Sequence, residues 1–139
     1  MARIGILGGG QLALMLAQAA IKLNHSVVIW DPNQDACARH LGCFINASFE
    51  DQNALDLFLS QVDVVTWEFE NLPIDQLQKI QSRCLIYPSL SLLEIKRDRL
   101  TEKLHLQSLN IPVVPFYQLD SIEDIQEFPV LLKCRFDGY

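Results

Sequence analysis

Apolar positions along the chain fall into short runs separated by stretches of helical spacing. Ile4, Ile6 and Leu7 predict a buried strand over 3–7. Leu12, Met15, Leu16, Ala19 and Leu23 predict a helix over 11–23, with those five as its buried face. Asn24-His25 reads as a tight turn, and Val27-Val28-Ile29-Trp30 as a second strand ended by Asp31-Pro32-Asn33. A short helix over 34–40 and a weak strand over 43–46 follow. Asp51 opens a helix on which Leu55, Phe58 and Leu59 share one side. Positions 62–66 read as a strand. Pro73 suits the first turn of a helix reaching 81, and 84–87 reads as a fifth strand.

Apolar strands alternating with amphipathic helices predict an α/β fold, a Rossmann-like, mostly parallel sheet flanked by helices. Ligands of such sheets sit outside the carboxyl ends of the strands. Three loops are therefore expected on one edge, at 8–11, 31–33 and 67–71.

The pattern changes after Pro88. Ser91-Leu92-Leu93-Glu94 has the spacing of a capping box, heading a helical stretch that carries Lys96, Arg97, Arg99 and Lys103. Asn110-Ile111-Pro112 ends that helix. An extended segment over 113–119, a short polar helix over 121–127 and a strand over 129–134 are expected next. The chain then stops at Arg135-Phe136-Asp137-Gly138-Tyr139, where a strand would turn into a glycine loop, so a fragment of a longer protein is expected.

Composition narrows the class. The chain has 139 residues, half of them hydrophobic, which is enough for one domain with a core. No apolar run approaches the roughly 20 residues that span a bilayer, and no signal peptide opens the chain. A cytoplasmic protein with no membrane partner is expected. The net charge of −6 argues against nucleic acid as a partner. Cys37, Cys43, Cys84 and Cys134 have no metal-ligand spacing and read as buried free thiols; His25, His40 and His105 are scattered and read as ordinary.

Four groups could carry chemistry. Gly8-Gly9-Gly10-Gln11 turns a strand into a helix, and helix N-terminal N–H groups suit an anion or a ligand's polar edge. With Asp31 further on, Gly8-x-Gly10-x-x-Ala13 formally matches a dinucleotide fingerprint, although many α/β folds use such a turn only to reverse the chain. In Thr66-Trp67-Glu68-Phe69-Glu70-Asn71 the two glutamates project to one side and the aromatics to the other. Such a pair could hold an amine or sugar hydroxyls, or belong to a solvated loop anchored by its aromatics. Arg99 and Lys103, one turn apart, could hold phosphates or line a solvated helix face. Lys133, inside Val130-Leu131-Leu132-Lys133-Cys134, must reach solvent or an anionic partner.

In order, Gly-Gly-Gly-Gln-Leu, Thr-Trp-Glu-Phe-Glu-Asn, Asp-Arg-Leu-Thr-Glu-Lys, Ile-Pro-Val and Leu-Leu-Lys-Cys-Arg-x-x-Gly-Tyr resemble the N5-carboxyaminoimidazole ribonucleotide synthetase family of the ATP-grasp superfamily. The resemblance implies three parts: a pre-ATP-grasp domain over 1–88, a helical connector over 89–112 and the start of an ATP-grasp domain over 113–139. It implies a ligase of purine biosynthesis that carboxylates 5-aminoimidazole ribonucleotide with bicarbonate and ATP, with Mg2+ on the nucleotide phosphates. Arg99, Lys103, Lys133, Gly138 and Tyr139 are implied as ATP-binding. Gly10, Gln11, Leu12, Glu68 and Glu70 are implied as substrate-binding. A homodimer is implied as well. The chain departs from the family at Ala13 and Leu14, where Gly-Arg is frequent, and at Asp137, where glycine is usual. The metal ligands and the catalytic residues are expected outside this chain, which alone should be inactive. The competing readings are an NAD-dependent oxidoreductase domain and a non-catalytic binding or dimerisation module.

Overall fold

The computed structural model describes residues 1–68 and 70–136. The chain divides into two compact units, Met1–Leu90 and Ser91–Tyr139.

The first unit is a five-stranded parallel sheet in the order β3-β2-β1-β4-β5. Its strands are β1 (Arg3–Leu7), β2 (Ser26–Trp30), β3 (Cys43–Ile45), β4 (Val64–Trp67) and β5 (Leu85–Ile86). Helices α1 (Gln11–Lys22), α2 (Gln52–Gln61) and α3 (Ile74–Gln81) connect them. The chain first builds outward through β2 to β3, then crosses back to β4 beside β1. Right-handed crossovers put α1 on one face and α2 and α3 on the other. Side chains agree with this. Ile6, Val27 and Ile29 pack with Ala13, Ala17 and Ala20 of α1. On the opposite face Phe58 of α2 lies against Gly5 and meets Trp30 in a tilted ring contact, centroids 5.4 Å apart. Contacts from Arg83 to Asp56 (2.6 Å) and from Lys79 to Gln52 (3.3 Å) tie the end of α3 to α2.

Helix α1 inverts the expected face. Its buried residues are Ala13, Ala17 and Ala20. Leu12, Met15, Leu16 and Leu23, expected inside, are 56%, 64%, 42% and 70% exposed, and Ala19 is exposed too. The physical reason is distance. Alanine lets the helix axis settle close over β1 and β2, so the contact face is narrow and the larger side chains of the neighbouring stripe stay outside it.

Other differences are local. Segment 34–40 forms turns, not a helix. Asp31 and Asn33 side chains hold the N–H groups that would open it, those of Asn33 and Asp35. The cysteines are free, but Cys37, Cys43 and Cys134 are exposed, on turns, at the sheet edge and on an irregular segment. Only Cys84 is partly covered, and burial pushes its thiol pKa up.

The second unit holds α4 (Leu90–Lys96, whose first residue closes the first unit) and α5 (Arg99–Ser108) where one helix is expected. The break falls at Arg97-Asp98 because Asp98 caps α5: its carboxylate accepts from Leu100 N at 3.0 Å and from Thr101 Oγ1 at 3.0 Å. The helix over Ser91 starts one residue earlier, at Leu90, so Ser91 lies inside it and not at its cap. Asn110 takes φ 58° just past α5, as a helix-ending asparagine can. The polar helix near 121–127 is a single 3-10 turn, Ile122–Asp124. Segment 129–134 is irregular, and Lys133, Leu131 and Leu132 are exposed. A strand requires a neighbour to pair with, and no strand is assigned among the described residues of this unit.

Candidate functional site

The order β3-β2-β1-β4-β5 reverses direction between β1 and β4. The crevice outside the carboxyl ends of such neighbours is where doubly wound sheets bind ligands. Here the crevice is flanked by the glycine turn after β1 and by Glu68 after β4.

The turn is fixed atom by atom. Gly8 takes φ 95°, open to glycine, and its N–H donates to Trp30 O at 2.9 Å. Gly9 N donates to Asp31 Oδ2 at 2.6 Å, which bridges to the end of β2. Gly9 O accepts from Ala38 N at 2.9 Å. Gly10 N donates to Glu68 Oε2 at 3.1 Å, which bridges to the end of β4. Glu68 is itself seated by its own N–H on Leu7 O at 3.0 Å. The three loops expected to share one edge therefore touch.

Two carboxylates thus sit at the amino end of α1, where the helix dipole and exposed N–H groups stabilise negative charge. The first intrahelical bond is Leu14 N to Gly10 O, so the N–H groups of Gln11, Leu12 and Ala13 precede the ladder. Gln11 and Leu12 are exposed at this end. The corner offers N–H groups, an amide side chain and carboxylate oxygens. That set suits a ligand bearing both an amine and hydroxyl or anionic groups. Glu70 is half-buried two residues beyond Glu68, and Phe69 between them lies outside the described residues. Trp67 anchors the segment by donating Nε1 to Pro88 O at 3.1 Å. The sequence places Asp31 in the strand-ending turn 31–33 on this edge and in a dinucleotide pattern, but not as the acceptor for Gly9 N; the Asp-x-Asn spacing is the signal for its local role.

The cations expected at ATP lie in the second unit. Arg99 is the first residue of α5, and its N–H donates to Arg135 O at 3.0 Å. Lys103, one turn on, holds its ammonium 5.1 Å from the centre of the Phe116 ring. Lys133 lies on an exposed irregular stretch two residues before Arg135. Gly138 and Tyr139 lie outside the described residues. Arg135, which sequence reasoning passed over, grips Asp98 through Nε at 3.0 Å and through Nη2. That guanidinium holds the Asp98 carboxyl well below the usual carboxylate range, with the Leu100 N–H and Thr101 hydroxyl assisting and burial opposing. Among the described residues no three His, Cys, Asp or Glu side chains converge as a metal site.

Residues 1–97 match the family described as the ribonucleotide synthetase preATP-grasp domain. A Staphylococcus epidermidis N5-carboxyaminoimidazole ribonucleotide synthase is 41% identical over 145 aligned residues, which cover 99% of this chain and 39% of that protein. The crystal structure of N5-carboxyaminoimidazole ribonucleotide synthetase from Thermus thermophilus superposes with a TM-score of 0.79 at 42% identity, covering 87% of this chain and 34% of that one. An Aspergillus clavatus synthase, solved with ADP and 5-aminoimidazole ribonucleotide, superposes with a TM-score of 0.63 at 29% identity, covering 82% and 31%. The chain thus spans about two fifths of the length of the curated relative. With its parallel sheet, its glycine corner and this match over residues 1–97, the chain belongs to the ribonucleotide synthetase pre-ATP-grasp domain family.

Proposed function

We propose that a protein carrying this chain at its amino end is an ATP-dependent carbon–nitrogen ligase of purine biosynthesis. It joins bicarbonate to the exocyclic amine of 5-aminoimidazole ribonucleotide, releasing ADP and phosphate. The observation that carries this reading is the Gly10 N–H to Glu68 carboxylate contact at the sheet's reversal point, in a fold shared with synthetases of that activity. Gly10, Gln11, Leu12, Glu68 and Glu70 would hold the ribonucleotide, with a carboxylate beside its amine. ATP phosphorylates bicarbonate to carboxyphosphate, and the amine nitrogen bonds to the carboxyl carbon of that species, or of the carbon dioxide it releases, as phosphate leaves and the amine gives up a proton. The contribution of these residues is placement and charge matching.

In the same reading, Arg99, Lys103 and Lys133, with Gly138 and Tyr139, neutralise nucleotide phosphate. Mg2+ would accompany ATP, held by residues outside this chain. We divide the chain functionally into the pre-ATP-grasp domain 1–88, a connector 89–112 and the start of the ATP-grasp domain 113–139. The four free thiols favour a reducing compartment, the cytoplasm. The apolar outer stripe of α1 favours a homodimer.

The dinucleotide reading fits less well. The N–H groups of Gly9 and Gly10, which a pyrophosphate would use, already carry the Asp31 and Glu68 carboxylates. The deciding experiment follows phosphate release by the chain extended to the length of its relatives. Turnover should require ATP, bicarbonate and aminoimidazole ribonucleotide together. Micromolar NADH binding with no such turnover would reverse the assignment.

A further inference from the structure

Asp31 is bonded at every polar atom. Its N–H donates to Ile45 O at 3.1 Å, and its carbonyl accepts from Asn46 Nδ2 at 3.0 Å. Oδ1 accepts from Asn33 N at 2.6 Å, which closes its own turn. A residue serving only that turn would need no more, yet Oδ2 reaches across to Gly9 N at 2.6 Å. The next peptide unit, Gly9 C=O with Gly10 N–H, is rigid and planar. Its oxygen is held by Ala38 N and its N–H by Glu68. The two peptide planes that meet at Gly9 are thus both clamped, the Gly8-Gly9 plane by Asp31 on its N–H and the Gly9-Gly10 plane by Ala38 on its oxygen, and together they set the direction of the Gly10 N–H on which the Glu68 carboxylate sits.

We propose that Asp31 is a positioning residue: by clamping the Gly9 N–H it steadies, together with Ala38 on the Gly9 oxygen, the Gly10 N–H that seats the Glu68 carboxylate at the crevice. The enzymatic arm of the test rests on the function proposed above; the spectroscopic arm does not. Asp31→Asn keeps the size of the side chain but puts an NH2 where one of two N–H groups needs an acceptor. In the extended enzyme this variant should raise KM for aminoimidazole ribonucleotide on the order of tenfold. KM for ATP should stay within about twofold, because a general loss of fold would move both. In a Glu68→Ala background, Asp31→Asn should add nothing to the ribonucleotide KM. Equal rises in both KM values, or full additivity with Glu68→Ala, overturn the proposal.

In the 139-residue chain, Asp31→Asn should shift the Gly10 amide resonance and speed its hydrogen exchange. An unchanged Gly10 amide overturns the proposal. The wild-type chain supplies a reading even if the variant does not fold: Gly9 N–H exchange must be slowed, and exchange at the unstructured rate refutes the clamp. If wild-type extended enzyme shows no ATP-dependent carboxylation, the proposed function fails, and the Gly10 amide alone decides the role of Asp31.

Discussion

A methyl group on Gly10 would sit 2.5 Å from Glu68 Oε1, although the local backbone (φ −73°, ψ −160°) suits any residue. The obstacle is the movable end of a side chain. Gly10→Ala should therefore cost under about 1 kcal/mol of stability by urea denaturation, while displacing Glu68 and weakening ribonucleotide binding. At Gly9 the same methyl group would meet Ala36 Cβ at 2.7 Å, an atom that cannot swing aside. Gly9→Ala should cost about 1–3 kcal/mol in the same measurement. Asp98 gives a dependence on pH. Its carboxyl pKa is depressed in the fold by Arg135, so its contribution is complete above the unfolded value of about 3.9 and fades as pH falls toward the folded one. The stability gap between wild type and Asp98→Ala should be constant near neutral pH and narrow below about pH 4. A gap that widens on acidification would contradict that pairing. The Asp98–Arg135 link joins residues 37 positions apart, and nothing in the local pattern marks so distant a pair.

At the scale of elements, helix α1 shows what periodicity can and cannot tell. Spacing located the helix to within a residue, since amphipathic repetition is a local property. It selected the wrong face, because Leu12, Met15, Leu16, Ala19 and Leu23 outrank three alanines in apolarity while the alanines fit the narrow gap over the sheet. The stripe left outside carries no acidic residue, in a chain of net charge −6, so identical copies can approach there without like-charge repulsion. The double substitution Met15→Glu, Leu16→Glu should leave the thermal midpoint within a few degrees, roughly as for other surface changes. It should also shift sedimentation of the extended protein from dimer to monomer. An unaltered sedimentation coefficient would count against this helix as the seam. The strand expected over 129–134 fails for a different reason: pairing depends on a neighbour, which no window of sequence contains. The single helix expected over 91–109 splits because Asp98 satisfies N–H groups better as a cap than as an interior residue.

For the molecule as a whole, the alternation of strands and helices made the parallel sheet legible, and handedness then left few topologies to choose from. The shared edge of the three loops followed from that rule alone, and the contacts of Gly9 with Asp31 and Gly10 with Glu68 bear it out. Which oxygen meets which N–H was not legible, since it depends on side-chain torsions at the ends of three separate strands. The two units also make a prediction about activity. The 139-residue chain alone should release no phosphate from ATP above background in a steady-state assay, and substantial turnover would contradict the division of labour proposed here. The rims of the sheet carry one last implication. Its outer strands, β3 and β5, have three and two residues, against five, five and four for β2, β1 and β4. Edges so short offer little template for cross-β stacking, so crowding of this chain should yield amorphous, helix-mediated clusters and no fibrils.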